Sequence, residues 1–236
     1  MSKYSVILPT YNERENLPII TYLIFEMAKK NNLDFEIVII EDNSPDGTLQ
    51  VAQELKKVYG DKLIIHFREK KLGLGSAYMD GIKLCHGNFI VIMDADLSHH
   101  PKYLKDFIQK QKETNCDIVT GSRYINKGGV MNWGFDRKLT SRGANFLAST
   151  MLGVKCSDLT GSFRLYKREV LEKVIKDVVS RGYAFQMEII IRARKYGFTV
   201  EEVPIVFVER IFGESKLGAS EFQIYLKGLW KLLWTF

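Results

Sequence analysis

"NFIVIMDADLSHHP", residues 88–101, joins an apolar run to two aspartates and two histidines. The unbroken run at 89–93 reads as a strand buried on both faces. The acids and histidines at its end raise a question of chemistry. A metal held there could split water, which makes a hydrolase. It could instead hold phosphates, which makes a transferase or a nucleotide-binding module.

The strand has relatives along the chain. "KYSVILPTY", "FEIVIIEDNSPDGT" and "KLIIHF" are further short apolar runs that end in proline, acids or turn formers. Helical spacing separates them. Leu17, Ile20, Leu23, Ile24 and Met27 share one face, Thr48 opens a second helix, and "GSAYMDGIKLCHG" reads as a third, closed by Gly87. Regular alternation predicts a doubly wound α/β layer with a mostly parallel sheet. Ligands in such sheets bind beyond the strand C-termini. The first, second and fourth strands end in "PTYNE", "EDNSPDG" and "DADLS".

The pattern weakens after Thr120. "GSRYINKGGVMNWGFDRKLTSRGAN" reads as a long functional loop. "FRLYKREV" and "FTVEEVPIVFVER" read as later strands with a helix at "YAFQMEIIIRARKYG", and "RIFGESKLGAS" as a mobile loop. "EFQIYLKGLWKLLWTF", residues 221–236, reads as an amphipathic helix. Sixteen residues make about 24 Å of helix, against roughly 30 Å of bilayer core. Lys227 and Lys231 also argue against spanning. The helix either packs on the core or lies on a membrane or membrane partner through Trp230, Trp234 and Phe236.

The chain has 236 residues, with 46% apolar and 26% charged, as expected for a globular protein. One domain, 1–236, is expected, in parts 1–120, 121–220 and 221–236. No signal peptide is legible. Cys85, Cys116 and Cys156 are too few and too scattered for a disulfide framework or a C-x-x-C zinc cage. Residues 1–120 hold 15 basic and 17 acidic side chains, and residues 121–236 hold 19 and 11. The basic half suits an anionic partner or simply a solvated surface.

Asp94 and Asp96, one residue apart beyond a buried strand, can converge on a hard cation that keeps phosphates as its other ligands. Adjacent His99 and His100 cannot form an i, i+4 zinc pair, and Pro101 suits a helix start. Asp42 ends a strand, where an acid can accept from a base or ribose. "DNSPDG" reads equally as a turn. A Gly-x-Gly-x-x-Gly turn and a Gly-Lys-Ser/Thr loop are both missing, so phosphates would need metal and arginine. Arg123, Arg137 and Arg142, the last two flanking Ser141, and Arg210 with Lys216 offer guanidinium and ammonium groups on loops.

"VILPTYNERENL", "EDNSPDGT", "MDADLSHHP", "GSRY", "SRGAN", "DLTGSFRLYKREVL", "GYAFQMEII", "EVPIVFVER" and "GESKLG" cover nearly the whole chain. In this order they resemble the inverting GT-A-type glycosyltransferases, within them the branch that moves mannose from GDP-mannose to dolichyl phosphate. The resemblance implies a GT-A-type, Rossmann-like sheet with flanking helices. It implies donor contacts from Pro9, Tyr11, Glu13, Ile40, Asp42, Met93, Asp94, Ala95, Asp96, Arg210 and Lys216. Asp94 and Asp96 would bracket Mg²⁺ or Mn²⁺, with Ca²⁺ a further option. Some relatives have Gln at the place of Ser98, which leaves a third-ligand role for Ser98 open. Arg123, Arg137 and Ser141 would take the lipid phosphate, so Asp94, Asp96 and Arg123 form the catalytic set. Glu188 would orient the sugar or assist as acid/base. The resemblance further implies the cytosolic face of the endoplasmic reticulum, small membrane-anchoring subunits, no nucleic-acid partner, and service to protein glycosylation and GPI anchors.

A phosphate-oxygen nucleophile, with a second pKa of about 6, needs no strong base, which fits the lack of an obvious catalytic histidine. Three rival readings remain. A phosphohydrolase would use Asp94 as nucleophile. A binding module would use only the basic half. A sister enzyme would take glucose from UDP-glucose.

Overall fold

The computed structural model describes residues 2–180, 184–210 and 230. Strand and helix alternate through β1 (Lys3–Thr10), α1 (Asn16–Lys30), β2 (Asp34–Glu41), α2 (Thr48–Tyr59), β3 (Leu63–Phe67), α3 (Leu74–Leu84), β4 (Phe89–Ile92) and α4 (Tyr103–Thr114). Then follow β5 (Ile118–Ser122), β6 (Gly129–Val130), α5 (Phe135–Met151), β7 (Arg164–Lys167), α6 (Arg168–Ile175), α7 (Ala184–Lys195), β8 (Val200–Pro204) and β9 (Val206–Phe207). Seven strands form one sheet in the order β3-β2-β1-β4-β7-β5-β8, and β6 pairs with β9 beside it. All pairings are parallel except those of β7, which runs antiparallel to both β4 and β5.

Both faces of the sheet are covered, which is why its strands are apolar without alternation. Ile7, Val38, Ile40, Ile90 and Ile92 pack on one side with Tyr78 and Ile82 of α3, Leu171 of α6 and Phe185 of α7. Val6, Leu8, Ile37, Ile39 and Val91 pack on the other with Leu17, Ile20 and Ile24 of α1 and Phe107 of α4. Helix α3 lies so close to β1 that a Cβ on Gly81 would sit 2.7 Å from Cγ2 of Ile7. The three cysteines are buried and free. Burial pushes the thiols of Cys85 and Cys156 up to about 12.

The geometry corrects several expectations. The long loop after Thr120 contains β6 and the 17-residue helix α5. Its buried side is small and polar rather than apolar, so the usual helical stripe is missing from the sequence. "FRLYKREV" is one strand followed by one helix, β7 then α6. Helix α3 ends at Leu84, before Gly87. Gly87 instead permits close approach to β1, since a Cβ there would meet the Ser5 amide nitrogen at 2.7 Å. The expected helix at 221–236, Lys216 and the loop beyond Arg210 lie outside the described residues, of which Trp230 alone is described. Among the described residues no helix is long and apolar enough to cross a membrane.

Candidate active site

Parallel strands β1, β2, β4, β5 and β8 end at one edge of the sheet. Because β7 runs the other way, the residues that precede it, 158–163, arrive at the same edge. The site is therefore assembled from both halves of the sequence.

The loops after β1 and β2 are tied together. Asn12 N donates to Ser44 Oγ at 3.0 Å, Glu13 N to Thr48 Oγ1 at 3.0 Å and Arg14 N to Asp46 Oδ2 at 3.1 Å. Burial works against ionised Asp46, but the Thr48 hydroxyl and amide and the Arg14 amide hold its carboxyl below the ordinary value. Pro9 pairs in register with Ile40. Ile40, Met93 and Ala95 put their side chains into the core. Tyr11 lies under Lys71 Nζ, 4.2 Å from the ring centroid.

Asp42 is held by Arg68, which follows β3. Nε donates to Oδ1 at 2.6 Å and Nη2 to Oδ2 at 2.7 Å. Arg68 Nη1 donates to Ser76 Oγ at 2.7 Å, which fixes the fork on α3. Sequence reasoning missed Arg68, because only the parallel pairing of β2 with β3 brings "FRE" beside "IED".

Asp94 and Asp96 follow β4 as expected. Asp94 Oδ1 accepts from Tyr78 Oη at 3.3 Å and Oδ2 from Ser162 Oγ at 2.8 Å. Its side chain is still 32% exposed, yet desolvation by the dense surroundings raises its carboxyl above the ordinary value, and the charge of Asp96 adds to this. Asp96 Oδ1 accepts from Ser98 N at 3.0 Å, and Oδ2 lies 2.9 Å from Arg210 Nη2. The turn is strained: Leu97 sits at φ 63°, where a branched side chain is rare.

The histidines divide. His100 is a helix-start residue, accepting from Lys102 N at 3.1 Å. His99 is not, and this corrects the sequence reading. Its ring packs on Phe163 and Phe207, and Nδ1 lies 3.8 Å from Asp94 Oδ2 with no hydrogen-bond partner among the described residues. Burial pushes His99 below its ordinary value, which favours the neutral ring, against the pull of Asp94 and Asp96.

The donor set suits a hard divalent ion. Asp94 has no charged cationic partner among the described residues, and no third His, Cys, Asp or Glu joins the pair to form an all-protein cage there. Two carboxylates with open positions are what a cation shared with phosphate oxygens requires. Ser98, buried, supplies its amide to Asp96 and its carbonyl to Val208 N.

On the other side, Arg123 grips Asp158 through Nε at 2.7 Å and Nη2 at 2.7 Å, and Thr160 Oγ1 through Nη2 at 2.8 Å. Burial opposes both charges, but their attraction holds Asp158 below and Arg123 above its ordinary value. Asn145 Nδ2 reaches Thr160 Oγ1 at 3.3 Å, and Ser141 Oγ lies 2.6 Å from Tyr124 Oη. Arg137 stacks 4.1 Å from the Trp133 ring centroid and donates to Glu209 at 3.0 Å. The structure thus brings Arg123, Arg137 and Ser141 to one side of the edge, and gives each arginine an acid. Arg142 is exposed. Asp158 and Ser162 were visible only as letters in "DLTGSFR".

Glu188 is a correction. Its carboxylate accepts from Val179 N at 3.1 Å, Ser180 N at 2.8 Å and Arg192 Nε at 2.8 Å. Burial opposes its ionisation, but these donors hold it below its ordinary value. Two amides and a guanidinium hold this carboxylate, which ties α7 to the segment before it, so its place here is a structural one.

Known proteins resemble this chain in sequence and in fold. The profile of Glycosyl transferase family 2 matches residues 5–175. A polyprenol monophosphomannose synthase of Mycolicibacterium smegmatis is 41% identical over 91% of this chain and 81% of its own. A dolichol-phosphate mannosyltransferase of Pyrococcus furiosus is 40% identical over 98% of this chain but 64% of its own, so this chain spans under two thirds of that relative. Among solved structures, a mannosyltransferase of Pyrobaculum calidifontis in complex with GDP-Man and Mn²⁺ superposes with a TM-score of 0.64 at 20% identity, over 95% of this chain and 61% of that one. At that identity the superposition speaks for the fold. From the profile and the two relatives, the chain belongs to Glycosyl transferase family 2 and is a glycosyltransferase.

Proposed function

We propose that the enzyme transfers mannose from GDP-mannose to a polyprenyl phosphate, specifically dolichyl phosphate, with inversion to the β-linked product. The observation that carries this reading is the partly open Asp94–Asp96 pair facing, across one sheet edge, a cluster of Arg123, Arg137 and Ser141. One side suits a cation-bound nucleoside diphosphate, the other a phosphate acceptor. The names of the two relatives support the mannosyl and polyprenol parts. In this reading residues 1–120 serve the donor, joined by Arg210 and Lys216, and the rest of 121–220 serves the acceptor.

Asp94 and Asp96 would hold Mg²⁺ or Mn²⁺, which when bound would neutralise charge on the departing diphosphate. Asp42, set by Arg68, accepts from the guanosine part, and Tyr11 and Glu13 border it. Arg210 exchanges Asp96 for the diphosphate, and Lys216 joins it. Arg137, stacked on Trp133, releases Glu209 and takes a phosphate oxygen. Arg123, locked by Asp158, supports that oxygen and Ser141 donates to it. An acceptor oxygen, already ionised, attacks the anomeric carbon. The bond from that carbon to the diphosphate oxygen breaks, and GDP leaves with the electron pair. No side chain needs to remove a proton. Alignment and electrostatics supply the catalysis. Ser98 serves through its amide to Asp96. The reading carries with it the cytosolic face of the endoplasmic reticulum, membrane-anchoring subunits, and use of the product in protein glycosylation and GPI-anchor assembly.

The test is a donor panel. Labelled GDP-mannose, GDP-glucose and UDP-glucose are each incubated with dolichyl phosphate and Mg²⁺ or Mn²⁺, and label is followed into the lipid phase. Selective incorporation from GDP-mannose is expected. Incorporation mainly from UDP-glucose, or release of free phosphate without transfer, would overturn the reading.

A further inference from the structure

The imidazole of His99 is 3% exposed, and its Nδ1 has no hydrogen-bond partner among the described residues. Buried polar atoms in native proteins are nearly always bonded, because leaving one unmatched is costly. Packing does not call for the nitrogen. The ring lies 5.2 Å from the Phe163 centroid and 5.3 Å from that of Phe207, contacts that a phenylalanine would make as well. What Nδ1 faces is Asp94 Oδ2, at 3.8 Å. The ring is pinned from two sides. Residues 162 and 163 supply both the hydroxyl that donates to Asp94 Oδ2 at 2.8 Å and the phenyl ring on His99. Phe207 of β9 closes the other side, and Val208 N donates to Ser98 O at 3.2 Å, which fixes the backbone beside His99. The Asp94 side chain, 32% exposed, has room to turn.

We infer that His99 is a positioning residue for Asp94, its Nδ1–H donating to Oδ2 when that carboxylate turns to a divalent ion. The inference rests on the reading of Asp94 as a ligand of that ion. A shift of about 1 Å brings the two atoms within hydrogen-bond distance. The proton belongs on Nδ1, since the other tautomer would set a lone pair against a carboxylate. An ionised carboxylate has about four acceptor sites. Asp94 can therefore keep Tyr78 and Ser162, accept from His99 and still offer a lone pair to a cation. Such outer hydrogen bonds orient ligating carboxylates, and losing one typically costs about 10–100-fold in metal affinity.

The test titrates the full chain with Mn²⁺ alone, read by electron paramagnetic resonance, beside circular dichroism melts. H99F keeps a packed ring and loses the donor. H99N fills the core less well but keeps a donor at the place of Nδ1. H99Q sets its amide at the place of Nε2 instead. H99F and H99Q should bind Mn²⁺ about tenfold or more weakly than wild type, and H99N should bind close to wild type. H99F should melt no lower than H99N, because an apolar ring of the same shape leaves no polar atom unmatched. Mn²⁺ affinity and stability then rank H99F and H99N in opposite orders, which a purely structural histidine would not produce. Mn²⁺ binding by H99F equal to wild type, or a loss in H99N as deep as in H99F, overturns the inference. A second measurement needs no variant. In the ¹⁵N-histidine-labelled wild-type chain with Mg²⁺, the ring identified by its contacts to the Phe163 and Phe207 protons should carry its proton on Nδ1. A proton on Nε2 alone overturns the inference even if no variant folds. If the wild-type chain binds no Mn²⁺, the metal reading of Asp94 falls and the inference with it. If wild type and H99F bind equally well, the inference falls alone.

Discussion

Arg210 and Asp96, 114 positions apart in sequence, meet as an ion pair with Nη2 2.9 Å from Oδ2. A cation from the far end of the described chain thus occupies one carboxylate of the candidate metal pair. Arg210→Ala removes that competitor. Mn²⁺ affinity in the absence of donor should rise about tenfold while transfer falls. Electron paramagnetic resonance titration of free Mn²⁺ measures the first, and unchanged or weaker Mn²⁺ binding would contradict the exchange role.

Asp94→Asn with Asp96→Asn should abolish transfer and leave the fold intact. The Asp94 carboxyl is raised above its unfolded value, so folding favours its protonated form and ionisation works against stability as pH rises through that range. Asp94→Asn alone should therefore hold or raise the melting temperature in chelator at neutral pH. A fall of more than about 5 °C would show that the carboxylate is structural.

Asp158→Asn should be far more costly. It strips the partner from a buried guanidinium, and loss of one member of such a pair costs about 3–5 kcal/mol, to be read by urea denaturation. Asp158 is held below its unfolded value. The stability it contributes is present above about pH 4, the unfolded carboxyl range, and is lost as pH falls through its lowered folded value. The Asp158→Asn chain should lack that acid-side decline.

Arg68→Lys keeps the charge and loses the fork on Asp42. If Asp42 reads the nucleoside, the donor KM should rise about tenfold with kcat little changed. Steady-state kinetics decide, and an unchanged KM would remove Asp42 from donor recognition.

These outcomes separate what is legible in one dimension from what is not. The strands could be read because a strand buried on two faces must be apolar throughout, and Asp94 and Asp96 stood out as the acids that end one. Helix α5 could not be read. Its packed side carries Ser141, Asn145 and Ala148 and its outer side Phe146 and Leu147, so the cue that marks ordinary helices is inverted.

The sequence by itself determined the alternation of elements, the edge where a ligand belongs and the two aspartates there, since these follow from local apolar periodicity and chain order. Only the tertiary structure decided the partners. Arg68 reaches Asp42 because β3 lies parallel beside β2. Asp158 and Ser162 reach Arg123 and Asp94 because β7 enters antiparallel between β4 and β5. His99 is buried between Phe163 and Phe207, although its neighbour His100 faces solvent. Each is a contact between residues distant in sequence, set by strand order and packing, and local pattern carries no trace of it.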